Sequence, residues 1–259
     1  MSYKRVLFEV ADGVVTITLN RPEKRNALDG ETVRELKQAL ASAEASDDAR
    51  VVLLRANGPD FCAGADLSEL ERIAAGGGSI DNLRDAQSLG DLFIAMRHTS
   101  RPIIAAVQGN AIAGGAGLAT AADLIVASDN AVFGYPEVHL GFVPAMVMAL
   151  LRRAVGEKIT FDLAATGRRF GAEEAQRLGL VCRVVPAAQL DGDAIGFARE
   201  LAGRSASALA LIKRLLYGID GVSFEEAIAR GAEVNAIARA TPDCQAGVRR
   251  FLERRRPDR

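Results

Sequence analysis

Two rhythms of apolar residues divide the chain, and the change falls near Pro144. Before it, short β-branched runs recur. Val14-Val15-Thr16-Ile17-Thr18-Leu19 alternates as a half-buried strand does, and Asn20-Arg21-Pro22 ends it. Residues 50–55 and 103–107 are apolar enough for buried strands, the first closed by Asn57-Gly58-Pro59. Residues 124–127 and 131–133 read as two further strands. Between these runs the spacing lengthens to that of helices. Residues 32–45 place Val33, Leu36, Leu40 and Ala43 on one face, residues 83–96 are again helical, and residues 118–122 predict a short helix of small side chains. Past Pro144 the pattern is mostly helical, over residues 145–155, 158–166, 188–202, 206–217, 224–238 and 244–255, with a strand expected at 181–185. Strand, turn and helix alternating in this way predict an α/β fold that ends in a helical region.

Two turns rich in glycine and alanine punctuate the strand-rich part. Phe61-Cys62-Ala63-Gly64-Ala65-Asp66-Leu67 and Gly109-Asn110-Ala111-Ile112-Ala113-Gly114-Gly115-Ala116-Gly117 each follow a strand-like run and lead into a helical pattern. Glycines after strands ordinarily serve backbone geometry and close helix packing. Two such turns together can also aim two backbone N–H groups at one oxygen, which is how an oxyanion is held. Asp66, with Glu69 three residues on, predicts a capping box at the next helix, and Gly76-Gly77-Gly78 predicts a flexible break. Beyond the second turn, Tyr135-Pro136-Glu137 offers one carboxylate for proton transfer. Val138, Leu140 and Phe142 nearby are expected to give it a partly apolar pocket that raises its pKa. Tyr135 is expected to pack with its hydroxyl satisfied, His139 to lie at the surface or pocket rim, and His98 to be structural.

Other chemistries are poorly served. Residues 115–120 read G-A-G-L-A-T, with threonine where a dinucleotide-binding turn wants Gly or Ala, and the glycines lag the strand by several residues. No Gly-Lys-Ser/Thr makes a P-loop, no G-x-S-x-G marks a serine hydrolase, and neither histidine has an obvious triad partner. The 259 residues, 49% hydrophobic and 25% charged, are ordinary for a globular chain with a large core. A net charge of −1 provides no basic field for nucleic acid. Arg249, Arg250, Arg254, Arg255, Arg256 and Arg259 do cluster at the end, as a solvated helix face or a local phosphate site. Cys62, Cys182 and Cys244 are odd in number and lack metal-ligand spacing, so reduced thiols of a cytoplasmic protein are expected, with no metal. No apolar run suits a signal peptide or approaches the roughly 18 residues of a membrane span, and no membrane partner is expected.

Taken together, the motifs resemble the crotonase superfamily, the enoyl-CoA hydratase/isomerase family, essentially end to end. Arg21-Pro22-Glu23-Lys24-Arg25-Asn26-Ala27-Leu28 is similar to the family's N-R-P-x-x-x-N-A-L segment, and residues 61–67 match its F-x-A-G-A-D-[LI] motif. Residues 109–119, Ala122-Asp123-Leu124, and Phe133-Gly134-Tyr135-Pro136-Glu137-Val138 with Leu140-Gly141 match its central signature. Phe251-Leu252-Glu253-Arg254-Arg255 is similar to its closing helix.

This resemblance implies a spiral of ββα units over residues 1–195 and a helical trimerisation region over 196–259, in trimers that can pair into hexamers. It implies acyl-CoA thioester substrates of fatty acid metabolism, with coenzyme A as part of the substrate and no separate cofactor. It places the oxyanion hole at the N–H groups of Ala65 and Gly114, and one of two catalytic glutamates at Glu137. For the substrate's CoA arm it points to Arg25, Ala27, Ala63, Asp66 and Leu67, joined by Phe251 and Arg254 from a neighbouring subunit. The other glutamate of the hydratases falls at Gly117, which has no side chain. One carboxylate suffices to move a proton between two carbons, whereas hydration also needs a water held and activated. The pattern therefore resembles the single-glutamate Δ3,Δ2-enoyl-CoA isomerases. A 2-enoyl-CoA hydratase is the alternative, with Glu69 or Glu71 as a second acid, although both also fit a solvated helix face. Other enolate chemistry, such as decarboxylation or thioester hydrolysis, and a CoA-binding or assembly protein without turnover stay open. RNA binding is disfavoured by the charge. The acyl pocket is expected to draw on residues 68–88.

Overall fold

The computed structural model describes residues 3–66, 68, 71, 72, 75, 76 and 78–254. Its strands are β1 (Val6–Ala11), β2 (Val14–Leu19), β3 (Val51–Ala56), β4 (Ile103–Val107), β5 (Asn110–Ile112), β6 (Leu124–Ser128), β7 (Val132–Gly134), β8 (Arg169–Gly171) and β9 (Arg183–Val185). The helices are α1 (Gly30–Ala45), α2 (Ser79–His98), α3 (Gly114–Thr120), α4 (Ala145–Val155), α5 (Glu157–Thr166), α6 (Ala172–Arg177), α7 (Leu190–Ala202), α8 (Ala206–Gly218), α9 (Phe224–Ala240) and α10 (Pro242–Arg254).

A six-stranded sheet runs in the order β1-β2-β3-β4-β6-β9, and a three-stranded one in the order β5-β7-β8. β1 and β2 are antiparallel, joined through Asp12 and Gly13, both at positive φ as a tight hairpin requires. From β2 to β9 the large sheet is parallel. A parallel sheet needs both faces covered, which is why its strands read as near-continuous apolar runs. One face packs Val15, Ile17, Val52 and Leu54 against Leu36 and Leu40 of α1 and Leu92 and Met96 of α2. The other packs Val51, Leu53, Ile104 and Val126 against Leu190, Ala194, Ala198 and Ala202 of α7. The expected division at residue 195 thus falls inside α7, which lines the sheet as far as Ala202.

The layers repeat along the chain. Each turn adds a long strand to the large sheet, a short segment to the small one, and then a helix. β4, β5 and α3 make one such turn, and β6, β7 and α4 the next. β3 begins an earlier turn whose short segment is Cys62, bridged in parallel to Ala111 of β5. Ala111 in turn pairs with Phe133 of β7. This is a spiral of ββα units, with Cys62, Ala111 and Phe133 stacked across three successive turns.

Several elements differ from the sequence expectation. The second Gly/Ala turn is not one connection; it divides into β5 and α3, so the helix begins at Gly114 and not at Leu118. β5 and β8 span three residues each and lack the two adjacent large apolar residues that mark the equally short β7 and β9. α2 starts at Ser79, immediately after Gly78. At the end of the chain, α8, α9 and α10 pack mainly on one another and leave Ile212, Leu216, Phe224, Ile228, Ile237 and Phe251 more than half exposed. No helix of the described residues is long and apolar enough to cross a membrane.

Candidate active site

The stacked register brings the two Gly/Ala turns together. Ala65 lies three residues beyond Cys62 and Gly114 three beyond Ala111, so equivalent positions of adjacent spiral turns meet. Leu28 N–H donates to Gly64 O (2.7 Å), and Asp66 N–H donates to Leu28 O (3.1 Å). In such a parallel bridge the intervening residue directs its own N–H away from the partner, so that of Ala65 points away from Leu28. Gly64 sits at φ +95°, and a Cβ there would come 2.8 Å from Ile112 O and 3.6 Å from Gly114 N. A Cβ on Gly115 would come 2.3 Å from Cys62 O. These two glycines let the turns touch backbone to backbone.

Ala113 has φ 53° and ψ −123°, a conformation ordinarily left to glycine, and such residues cost of the order of 1–3 kcal/mol. Its N–H is held by Gly134 O at 2.8 Å, which fixes the direction in which Gly114 begins α3. Among the described residues, neither Ala65 N–H nor Gly114 N–H is assigned an acceptor. Ala65 is exposed and Gly114 half-buried.

Glu137 rides on a short 3-10 helix, Pro136–Leu140. It stands four residues beyond Phe133, the next member of the stack. Its Oε2 is buried and has no hydrogen-bond partner among the described residues. Burial raises its pKa above the ordinary glutamate value, against the lesser effect of its own backbone N–H. Tyr135 is fully buried, and its hydroxyl lies 2.9 Å from Thr120 Oγ1, which itself donates to Ala116 O (2.7 Å). The bond ties the start of the Glu137 turn to α3, the helix that carries Gly114.

The side chains expected to give Glu137 an apolar surround stand largely open to solvent in the single chain. Val138, Leu140 and Phe142 are 40%, 71% and 58% exposed. An extended segment would have put His139 on the same side as Glu137. In a helix of about three residues per turn the two diverge, and His139 packs against Gly167 at the surface.

At Gly117 there is no room for a side chain. A Cβ there would lie 2.5 Å from Val147 Cγ2 and 3.2 Å from Phe93 Cζ. Of the candidate second acids, Glu71 is exposed, and Glu69 lies outside the described residues, as does Leu67.

The early loop shows what local reading missed. Arg21 is 7% exposed, and its guanidinium reaches Ala27 O (2.9 Å), Asp29 Oδ2 (3.0 Å) and Asp66 Oδ2 (3.0 Å). Asp66 accepts from Ser68 N–H and its hydroxyl as well, and these bonds with Arg21 hold its carboxyl below the usual range. Its charge is spent on building the loop. Ala63 N–H donates to Arg25 O (3.0 Å), so Arg25, Ala27 and Ala63 do converge, with the Arg25 side chain 74% exposed. Phe251 and Arg254 lie on α10, which packs mainly against α8 and α9. Cys62 is fully buried and its thiol is pushed up to about 12, which disqualifies it as a nucleophile. A polar surface cavity of about 380 Å³, lined by Asp12, Asp47, Asp48 and Arg50, lies at the β1–β2 turn and includes none of these residues.

Known proteins share this chain's sequence pattern and its fold. The profile of the enoyl-CoA hydratase/isomerase family matches residues 9–258. A Thermus thermophilus protein provisionally named an enoyl-CoA hydratase is 43% identical over 244 residues, covering 94% of this chain and 96% of its own. The rat enoyl-CoA hydratase domain-containing protein 3 is 32% identical, over 95% of this chain and 81% of its own. Among solved structures, an enoyl-CoA hydratase from Mycobacterium smegmatis superposes with a TM-score of 0.92 at 32% identity, over 98% of both chains.

Proposed function

Because the chain belongs to the enoyl-CoA hydratase/isomerase family of acyl-CoA enzymes, we propose that it moves the double bond of an enoyl-CoA through a thioester enolate. In this reading the carboxylate of Glu137 removes a proton from the carbon next to the thioester of a 3-enoyl-CoA. Negative charge then develops on the thioester oxygen, where Ala65 N–H and Gly114 N–H receive it. Donors fixed before the charge appears contribute about 10²–10³ in rate each. The protonated Glu137 returns its proton to the far end of the dienolate, giving the 2-enoyl-CoA. A carboxylate with a raised pKa suits both halves of that exchange.

The observation that carries this choice is the pairing of one buried carboxylate at Glu137 with a position, Gly117, that holds no acid. Arg25, Ala27 and Ala63 are assigned to the CoA arm, together with Phe251 and Arg254 from the last helix of a neighbouring subunit in a trimer. The relatives' names favour hydration of a 2-enoyl-CoA as the second reading. Side-by-side turnover of 3-enoyl- and 2-enoyl-CoA separates the two. Isomerisation is expected to dominate in the wild type and to fall by about 10²–10⁴ in Glu137→Gln. Full activity in that variant would remove Glu137 from the mechanism, and dominant hydration would replace the isomerase reading.

A further inference from the structure

The space beside Gly117 is filled, and what fills it is hydrocarbon. We propose that Val147 of α4 and Phe93 of α2 are specificity-determining residues, which keep both a water and a second acid away from the enolate and so hold the enzyme to isomerisation. The inference rests on the isomerase reading above and adds two residues to it.

Gly117 follows Gly114 by three positions in α3, so it lies on the same side of the helix, one turn beyond the oxyanion donor. The three nearest atoms that a Cβ on Gly117 would meet outside its own helix are Val147 Cγ2 at 2.5 Å, Phe93 Cζ at 3.2 Å and Val147 Cβ at 3.6 Å. None is polar. Val147 is 3% exposed and Phe93 4%, so neither can swing aside into solvent, and close-packed interiors leave no alternative space for them. A bound water needs two to four polar partners, and none of these three atoms supplies one. The lining continues in kind beside Gly114, where Leu28 Cδ1 and Leu89 Cδ2 lie 3.7 and 3.9 Å from an added Cβ.

An acid-free position could be either an empty slot, ready to take a carboxylate, or a closed wall. The distances at Gly117 make it a wall, built by two helices remote in sequence from each other and from α3. Restoring the acid alone therefore cannot restore hydration, because the first carbon of its side chain has nowhere to go.

The test uses Gly117→Glu, Val147→Ala and the double variant Gly117→Glu/Val147→Ala, beside the wild type and Glu137→Gln. For each, the melting temperature and the ratio of hydration to isomerisation on 2-enoyl- and 3-enoyl-CoA are measured. Gly117→Glu alone is expected to lower the melting temperature by roughly 2–12 °C, as overpacking does in a chain of this size, with no rise in the ratio. The double variant is expected to recover part of that loss and to raise the ratio at least about tenfold, the low end of what a placed acid–base group gives. A Gly117→Glu variant with wild-type melting that hydrates would overturn the proposal, as would a folded double variant with the wild-type ratio. If the double variant does not fold, Gly117→Ala replaces Gly117→Glu in the cycle. Its cost in melting temperature must shrink in the Val147→Ala background, and an unchanged cost overturns the proposal. Failure of the underlying reading shows separately, as a wild type that does not isomerise or a Glu137→Gln variant that still does.

Discussion

One carboxylate oxygen of Glu137 is buried without a hydrogen-bond partner among the described residues, and burial raises the pKa of the group. The folded protein therefore holds this proton more tightly than the unfolded chain does. The resulting stabilisation is complete below the unfolded glutamate pKa of about 4.3 and is lost as pH rises through the folded value. Glu137→Gln should melt higher than the wild type near neutral pH, and the gap should close as the solution is acidified. A gap independent of pH in calorimetric scans would contradict this. In the proposed mechanism catalysis runs the other way, because Glu137 must be ionised to act as the base. The isomerisation kcat/KM should fall with decreasing pH through the same raised pKa, and a limb at the ordinary glutamate value would count against Glu137. Glu137 and Gly117 were visible in the sequence because each sits in a short local motif. Arg21, Phe93 and Val147 were not, since their roles come from partners 45, 24 and 30 positions away, and no spacing rule spans such distances.

The spiral explains how motifs so far apart in sequence come to lie on successive turns of one stack. Cys62, Ala111 and Phe133 are neighbours across the small layer, and Ala65, Gly114 and Glu137 leave that layer three, three and four residues later. The long parallel strands and most helices were legible because their apolar periods are long. β1, β5, β8 and α6 were not, being too short or too exposed to carry a clear period. The attachment of α8 to this core was equally hidden. Asp123, just before β6, accepts from Ile103 N–H (2.6 Å), Lys213 Nζ (2.8 Å) and Tyr217 OH (2.5 Å). Lys213 is 5% exposed and also donates to Met96 O and Arg101 O. Its burial pulls its pKa down, and Asp123 only partly restores it. Asp123→Ala would leave that ammonium buried and unpaired, a loss of about 3–5 kcal/mol in urea denaturation. Asp123→Ala/Lys213→Met should lose less than Asp123→Ala alone, because no charge is stranded. Equal losses would mean that α8 is docked by packing and not by this ion pair.

The surface of the whole chain amounts to 14154 Å², against roughly 11,000 Å² expected for a compact monomer of its mass. α8, α9 and α10 keep large apolar side chains more than half exposed, among them Ile212, Phe224, Ile228 and Phe251. Exposed apolar faces of that kind fit the proposed trimer of identical chains, whose closed symmetry would cover them. Phe251 and Arg254 lie on α10 within this region, so their proposed assignment to a neighbour's CoA arm predicts that association and substrate binding are coupled. Sedimentation is expected to show a trimer or a pair of trimers at micromolar concentration, and specific activity should fall on dilution as the assembly dissociates. Ile228→Glu, placed on an exposed face and remote in sequence from Glu137, should dissociate the assembly while leaving the helical circular dichroism of the chain in place. It should also raise KM for the acyl-CoA more than it lowers kcat, because the CoA arm loses the neighbour's contribution while Ala65, Gly114 and Glu137 stay together in one chain. A monomeric Ile228→Glu variant with unchanged KM would show that each chain binds the CoA arm alone, and would return Phe251 and Arg254 to a purely structural part.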